Sequence, residues 1–311
     1  MLTPLFLVPL VLPFVLCLAT SRVLERARPN AALWILTATT LVSALASVVS
    51  LGALVLTGLY LVPAFAEFSR FVRHLCTPSA QVMSGMAVLA ACALAIGGLR
   101  FGYSAVRHTR TLRAAQRQVA RLPVVGDLCV VGSPLPDAYA LPGRPNRIVV
   151  TAGMLRSLGA AEREALFAHE RAHNAQRHHY FLVVAEAAAH CHPALRRVRA
   201  EIRLAAELAA DEAAARALGD RKLVALAVAR AALASHDAGP STRPYLALGA
   251  ATGPVSRRVS TLLEPSAAPY GLKPVLTLLL ALAVLVSAGT TVAAVLHLRH
   301  EVGEAQGVIP R

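Results

Sequence analysis

Two histidines four residues apart, His169 and His173, enclose Glu170 in the string His169-Glu170-Arg171-Ala172-His173. On a helix such positions share a face, so both imidazoles can reach one metal ion, and the glutamate between them can take a proton from water that the metal activates. A catalytic zinc needs three protein ligands and one open position. Glu207 and Asp211 lie further on, again four apart. Glu207 can supply the third ligand, and Asp211 can accept a hydrogen bond from the free nitrogen of a ligand imidazole and fix its tautomer. Zinc held this way acts as a Lewis acid on a scissile carbonyl, with Glu170 as general base passing its proton to the leaving amine. The competing reading of Glu207 and Asp211 is a solvated acidic face on an alanine-rich helix, which would leave a two-histidine site without its third ligand. His178 and His179 follow the motif closely and read as surface groups or as supports behind the ligands. His190 and His192 flank Cys191 at a helix end, where capping and packing suit histidine.

Those residues need elements to hold them. The pattern predicts a helix over 105–121, a strand over 124–131 ended by Gly132-Ser133-Pro134, a short extended piece at 138–140, and a β-branched strand over 147–151 after a Gly143-Arg144-Pro145-Asn146 turn. The last of these reads either as an edge strand open to β-addition by an extended substrate or as an ordinary core strand. One long helix follows over 160–190, with Glu162 and Glu164 in its first turn, until Pro193 breaks it. A second helix over 194–218 closes at Gly219. The break at Pro193 lets it fold back antiparallel and carry Glu207 toward the histidines. Helices over 221–235 and 255–263 complete the segment.

The rest of the chain is apolar. Of 311 residues, 56% are hydrophobic and 15% charged, which points to an integral membrane protein. The runs 2–19, 31–62, 81–99 and 275–296 carry no charge, and about 20 apolar residues suffice to span a bilayer. The first run has no basic residue before its apolar core and contains Pro4, Pro9 and Pro13, so it reads as an uncleaved span and not as a signal peptide. The expected division is three transmembrane helices within 1–103 (about 2–20, 33–62 and 82–102), a protease domain over 104–272, a fourth span over 273–298, and a short tail over 299–311. Arginines cluster after the first run (Arg22, Arg26, Arg28) and after the third (Arg107, Arg110, Arg113, Arg117, Arg121). The positive-inside rule then puts the domain in the cytoplasm and both termini outside the plasma membrane. The basic stripe after the third run reads as a solvated helix face, or as a platform on anionic lipid headgroups. The net charge of +14 is not a sign of nucleic-acid binding, because aromatics are only 5% and no basic–aromatic interleaving occurs. Five cysteines without CxxC spacing argue against a disulfide framework and against a thiolate zinc site.

The zinc motif followed by Glu207-xxx-Asp211 resembles the gluzincin proteases, and within them the BlaR/MecR-type antirepressor peptidases and their HtpX and CAAX prenyl protease relatives. Three spans, a protease domain and one more span are similar to the BlaR/MecR arrangement, and Ala138-Tyr139-Ala140, Pro142-Gly143 and Ile148-Val149-Val150-Thr151 resemble the strand region of these peptidases. The resemblance implies a mainly α membrane protein with four transmembrane helices and a cytoplasmic α+β gluzincin-like domain inserted between spans three and four. It implies zinc on His169, His173 and Glu207, Glu170 as general base, Asp211 behind the ligands, and a cytoplasmic substrate such as a BlaI-like winged-helix repressor. An extracellular penicillin-binding sensor is not expected, since few residues follow the fourth run. HtpX-like quality control and a zinc-binding scaffold without turnover are the alternatives.

Overall fold

The computed structural model describes residues 3–59, 80–236, 254–264 and 289. Helices α1 (Thr3–Arg26), α2 (Pro29–Leu59) and α3 (Ala80–Val119) come first. Each is long and apolar enough to cross a membrane, over Val8–Arg26, Pro29–Leu56 and Ser84–Val119. The fourth apolar run, apart from Gly289, lies outside the described residues, as does 237–253. α3 is one helix of 40 residues that carries the third apolar run straight into the basic segment, with no glycine or proline break after Gly102.

Strands β1 (Val124–Val125), β2 (Leu128–Val131), β3 (Ala138–Leu141) and β4 (Arg147–Thr151) form one sheet in the order β1-β2-β4-β3. The expected strand over 124–131 is a hairpin, because Gly126 at φ 63 turns the chain back on itself. β4 pairs in parallel with β2 and antiparallel with β3, so it is a core strand, and the edge-strand reading of 147–151 does not hold. Among the described residues, β1 and β3 are the two edges of the sheet. Gly153 sits where Pro134 passes: a Cβ there would collide with the Pro134 carbonyl, and the Gly153 N–H donates to the Ser133 carbonyl at 3.0 Å.

The helices that follow are α4 (Ala152–Ser157), α5 (Ala160–Ala175), α6 (His178–Cys191), α7 (Leu195–Leu218), α8 (Arg221–His236) and α9 (Val255–Leu263). One sheet face buries Val149, Cys129 and Leu141 against Val119 and Leu112 of α3. The other buries Ala138 and Val150 against Leu166 of α5 and Ala231 of α8. α7 is the central helix. Its residues from Leu204 to Asp211 are buried on every side, which small alanines permit. Leu195, Val198 and Ile202 of α7, with Phe181 and Leu182 of α6, pack onto Leu16, Val23, Leu33 and Leu36 of α1 and α2. The apolar hairpin is therefore part of the same core as the helix carrying Glu207.

The proline pattern of α1 explains one junction. Pro13 has no N–H for the Pro9 carbonyl, and Ser47 of α2 donates to that oxygen instead at 3.1 Å. The next carbonyl, Leu10, faces His192 Nε2 at 2.9 Å, and Phe14 stacks edge-on against the same ring. His192 thus closes the α6–α7 turn and ties it to α1, in keeping with the capping and packing expected of it.

The long helix expected over 160–190 is broken at 176–177 into α5 and α6. Arg177 adopts φ 54, ψ 40, a left-handed conformation that an L side chain resists by about 1–2 kcal/mol. Nothing in composition announces the break, since no glycine or proline stands there. Arg177→Gly should raise stability by about 0.5–1 kcal/mol by relieving the Cβ clash. Arg177→Pro, whose φ is fixed near −65°, should cost about 3 kcal/mol or more. Thermal unfolding of the detergent-solubilised chain would show both.

Candidate active site

α5 carries His169, Glu170 and His173 on its inward face, and Arg171 and Asn174 beside them fix its placement. Arg171 forms a forked pair with Asp127 of the β1–β2 turn at 2.8 and 2.9 Å, and Asn174 donates to the Arg147 carbonyl of β4 at 3.1 Å. At the start of α5, the Glu162 carboxylate accepts the Gly159 N–H at 2.8 Å and pairs with Arg230 of α8. α7 crosses the inward face of α5 and brings Glu207 and Asp211 to the histidines. The solvated-face reading of these two acids is excluded: Glu207 is 0% and Asp211 1% exposed.

The His169 and His173 Nε2 atoms stand 3.0 Å apart, with Glu207 Oε2 at 3.4 Å from the first and 4.0 Å from the second. Among the described residues these three are the group able to hold a metal ion. Zinc bonds of about 2.0–2.2 Å in a tetrahedron require ligand edges of about 3.3–3.5 Å, which the triangle brackets. The far nitrogens of the rings are compatible with that arrangement. His169 Nδ1 faces Asp211 Oδ1 at 2.8 Å, and His173 Nδ1 faces His178 Nδ1 at 2.8 Å. Both Nε2 lone pairs can therefore converge on one ion beside Glu207. Glu170 is buried in the same centre, at 0% exposure.

The two ligand candidates are oriented by chemically different partners. Burial disfavours charge on His169, but Asp211, then Glu207, outweigh it and raise its pKa to about 9. Burial, together with the charge on His169, holds His173 well below its usual value. Burial also lowers His178 to about 4, so this ring is neutral. His178 then accepts from His173 Nδ1–H and turns its own Nε2 toward Gln176 Oε1 at 3.3 Å. Of the two places sequence left open for His178, the one behind the ligands is occupied: it is fully buried, and the left-handed Arg177 turns it back toward His173. His179 does not join the site and stacks on Tyr180.

Sequence reasoning missed Arg258. This residue of α9 is 0% exposed. Its Nε and Nη2 meet Asp211 Oδ2 and Oδ1 at 2.7 and 2.6 Å, and its Nη1 lies 3.0 Å from Glu207 Oε2. Burial would raise the Asp211 pKa, but Arg258 and then His169 hold it down at about 2. The signal was there to be read. Val255, Val259 and Leu262 form the apolar stripe of α9, and Arg258 lies on that stripe.

Residues 104–193 match the family model described as Peptidase family M48. The match supports a zinc metallopeptidase of that family, and the candidate membrane helices support a membrane-associated one. It covers well under half of the chain. It takes in His169, Glu170, His173 and His178, but ends before Glu207, Asp211 and Arg258. The third donor therefore rests on the geometry alone. No curated protein and no solved structure matches the chain.

Metal uptake at this centre should be coupled to proton release. Below about pH 9 the metal-free His169 carries a proton that zinc must displace. Apparent zinc affinity should therefore rise with pH, by about tenfold per unit, and level off near pH 9. Competition with a chelator across the pH range measures this, and a flat profile would contradict it.

Proposed function

We propose that this chain is a membrane-anchored zinc endopeptidase that hydrolyses peptide bonds of a cytoplasmic regulatory protein, of the kind a BlaI-like winged-helix repressor represents. The observation that carries the reading is the convergence of two imidazole nitrogens and one carboxylate oxygen beside the buried Glu170. His169, His173 and Glu207 would hold zinc, which when bound polarises a scissile carbonyl and acidifies water. Glu170 would act as general base and hand the proton to the leaving amine. Asp211 and His178 would hold the two rings in the tautomers that present Nε2.

An extended substrate could pair along β3, which lies at an edge of the sheet among the described residues. Asp137 accepts the Thr151 N–H at 3.0 Å, so the alternation of an antiparallel pair turns the backbone groups of Ala138 and Ala140 away from β4. β3 packs against α5 and thus lies next to the motif helix. β-Addition along β3 takes the place of the edge first sought at 147–151.

The proposed setting is the plasma membrane, with the domain in the cytoplasm and both termini outside. The exposed Arg107, Arg110, Arg113 and Arg117 of α3 support that sidedness and suit anionic headgroups. No direct contact with nucleic acid is proposed. A second reading, quality control of membrane proteins, draws support from the packing of α7 onto α1 and α2, which sets the site beside apolar helices.

Comparing new protein N-termini in cells that express the wild type or Glu170→Gln at equal membrane levels tests these readings. The variant should keep its zinc and lose cleavage by about 10²–10⁴-fold. One or a few cytoplasmic cuts, a repressor's among them, would support signalling. A broad set of membrane fragments would favour quality control. Identical N-termini with zinc bound in both would overturn the peptidase reading and leave a zinc-binding scaffold.

A further inference from the structure

We infer that Arg258 is a positioning residue of the metal centre, one guanidinium that sets the carboxylates of Glu207 and Asp211 against the two histidines. This rests on the metal-centre reading above and goes beyond it by giving the site a member on a separate helix. Glu207 and Asp211 stand four residues apart on α7, so two carboxylates are buried side by side, an arrangement that repels. Arg258 bridges them. Its Nε–Nη2 edge takes both oxygens of Asp211, at 2.7 and 2.6 Å, and its Nη1 reaches Glu207 Oε2 at 3.0 Å.

Each contact fixes something the centre needs. Contact with His169 Nδ1 through Oδ1 alone would leave the Asp211 carboxylate free to turn about its own bonds. A fork to both oxygens fixes its plane and so the orientation of the His169 ring. The third nitrogen holds Glu207 Oε2, the same oxygen that faces His169 and His173.

A role limited to anchoring α9 does not account for the residue. α9 is already held by Val255, Val259 and Leu262 against α8 and by Arg221, which donates to the Thr261 and Leu262 carbonyls at 3.0 and 3.1 Å. Burying an arginine to fasten a helix costs desolvation that an apolar side chain of similar size avoids. Lysine cannot take its place, since a point charge cannot hold both oxygens of one carboxylate and one of another in a fixed plane.

The test uses the purified full chain and the metals alone. Zinc affinity is measured by chelator competition, and site geometry by the visible absorption of the cobalt(II)-substituted protein. The variants are Arg258→Gln, Arg258→Lys and, as a control, Arg257→Gln. Arg258→Lys and Arg258→Gln should each weaken zinc binding by about 10–100-fold and shift the cobalt bands, while Arg257→Gln matches the wild type. If Arg258→Gln does not fold, Arg258→Lys, which keeps the buried charge, decides alone. Wild-type zinc affinity and cobalt bands in a folded Arg258→Lys would overturn the role. A wild type that takes up neither metal would sink the metal-centre reading itself, and this role with it.

Discussion

Three carboxylates, three imidazoles and a guanidinium are buried together inside a helical core built mostly of alanine, leucine and valine. An ionised group removed from water is tolerated only with a partner of opposite charge and filled hydrogen-bond positions. That requirement constrains the rest of the domain. Asp211 stands between His169 and Arg258, and Glu207 between Arg258 and both motif histidines. His173 is backed by the neutral ring of His178. The helices α5, α6, α7 and α9 each deliver at least one member of this set.

Alanine makes the convergence possible. Helix axes can approach closely where side chains are small, and α7 has neighbours on all sides at the level of the site. One side of it meets the motif helix. Another meets α1 and α2, where Leu33 and Leu36 enter the same cluster as Ile202, Ala205 and Leu208. Interiors this closely packed transmit displacement in place of absorbing it. The apolar hairpin and Glu207 are in this sense one mechanical unit, joined again at the far end of α7 by His192 against the Leu10 carbonyl.

The sheet has a positional task. It holds α5 through Asp127 and the Arg147 carbonyl, and its second face rests on the lower half of α3. α3 therefore links the third apolar run to the sheet, and the sheet to the motif helix, without a flexible joint among these described elements.

Sequence alone determined what periodicity and short-range chemistry encode. His169, Glu170 and His173 share a helix face because spacing by four dictates it, and the stops at Pro193 and Gly219 follow from backbone geometry. The apolar runs declared themselves through length and absence of charge. Tertiary structure decided everything that depends on distant partners. Strand order made β4 a core strand and β3 an edge, because pairing is set by long-range contacts and not by β propensity. The break at Arg177 is a conformation that arginine itself disfavours, so only the surrounding packing can impose it. Arg258 shares a helix face with Val255, Val259 and Leu262, and the tertiary packing of α9 turns that face inward. A helix face acquires its meaning from what lies opposite, and for Arg258 that is two acids some fifty residues earlier in the chain.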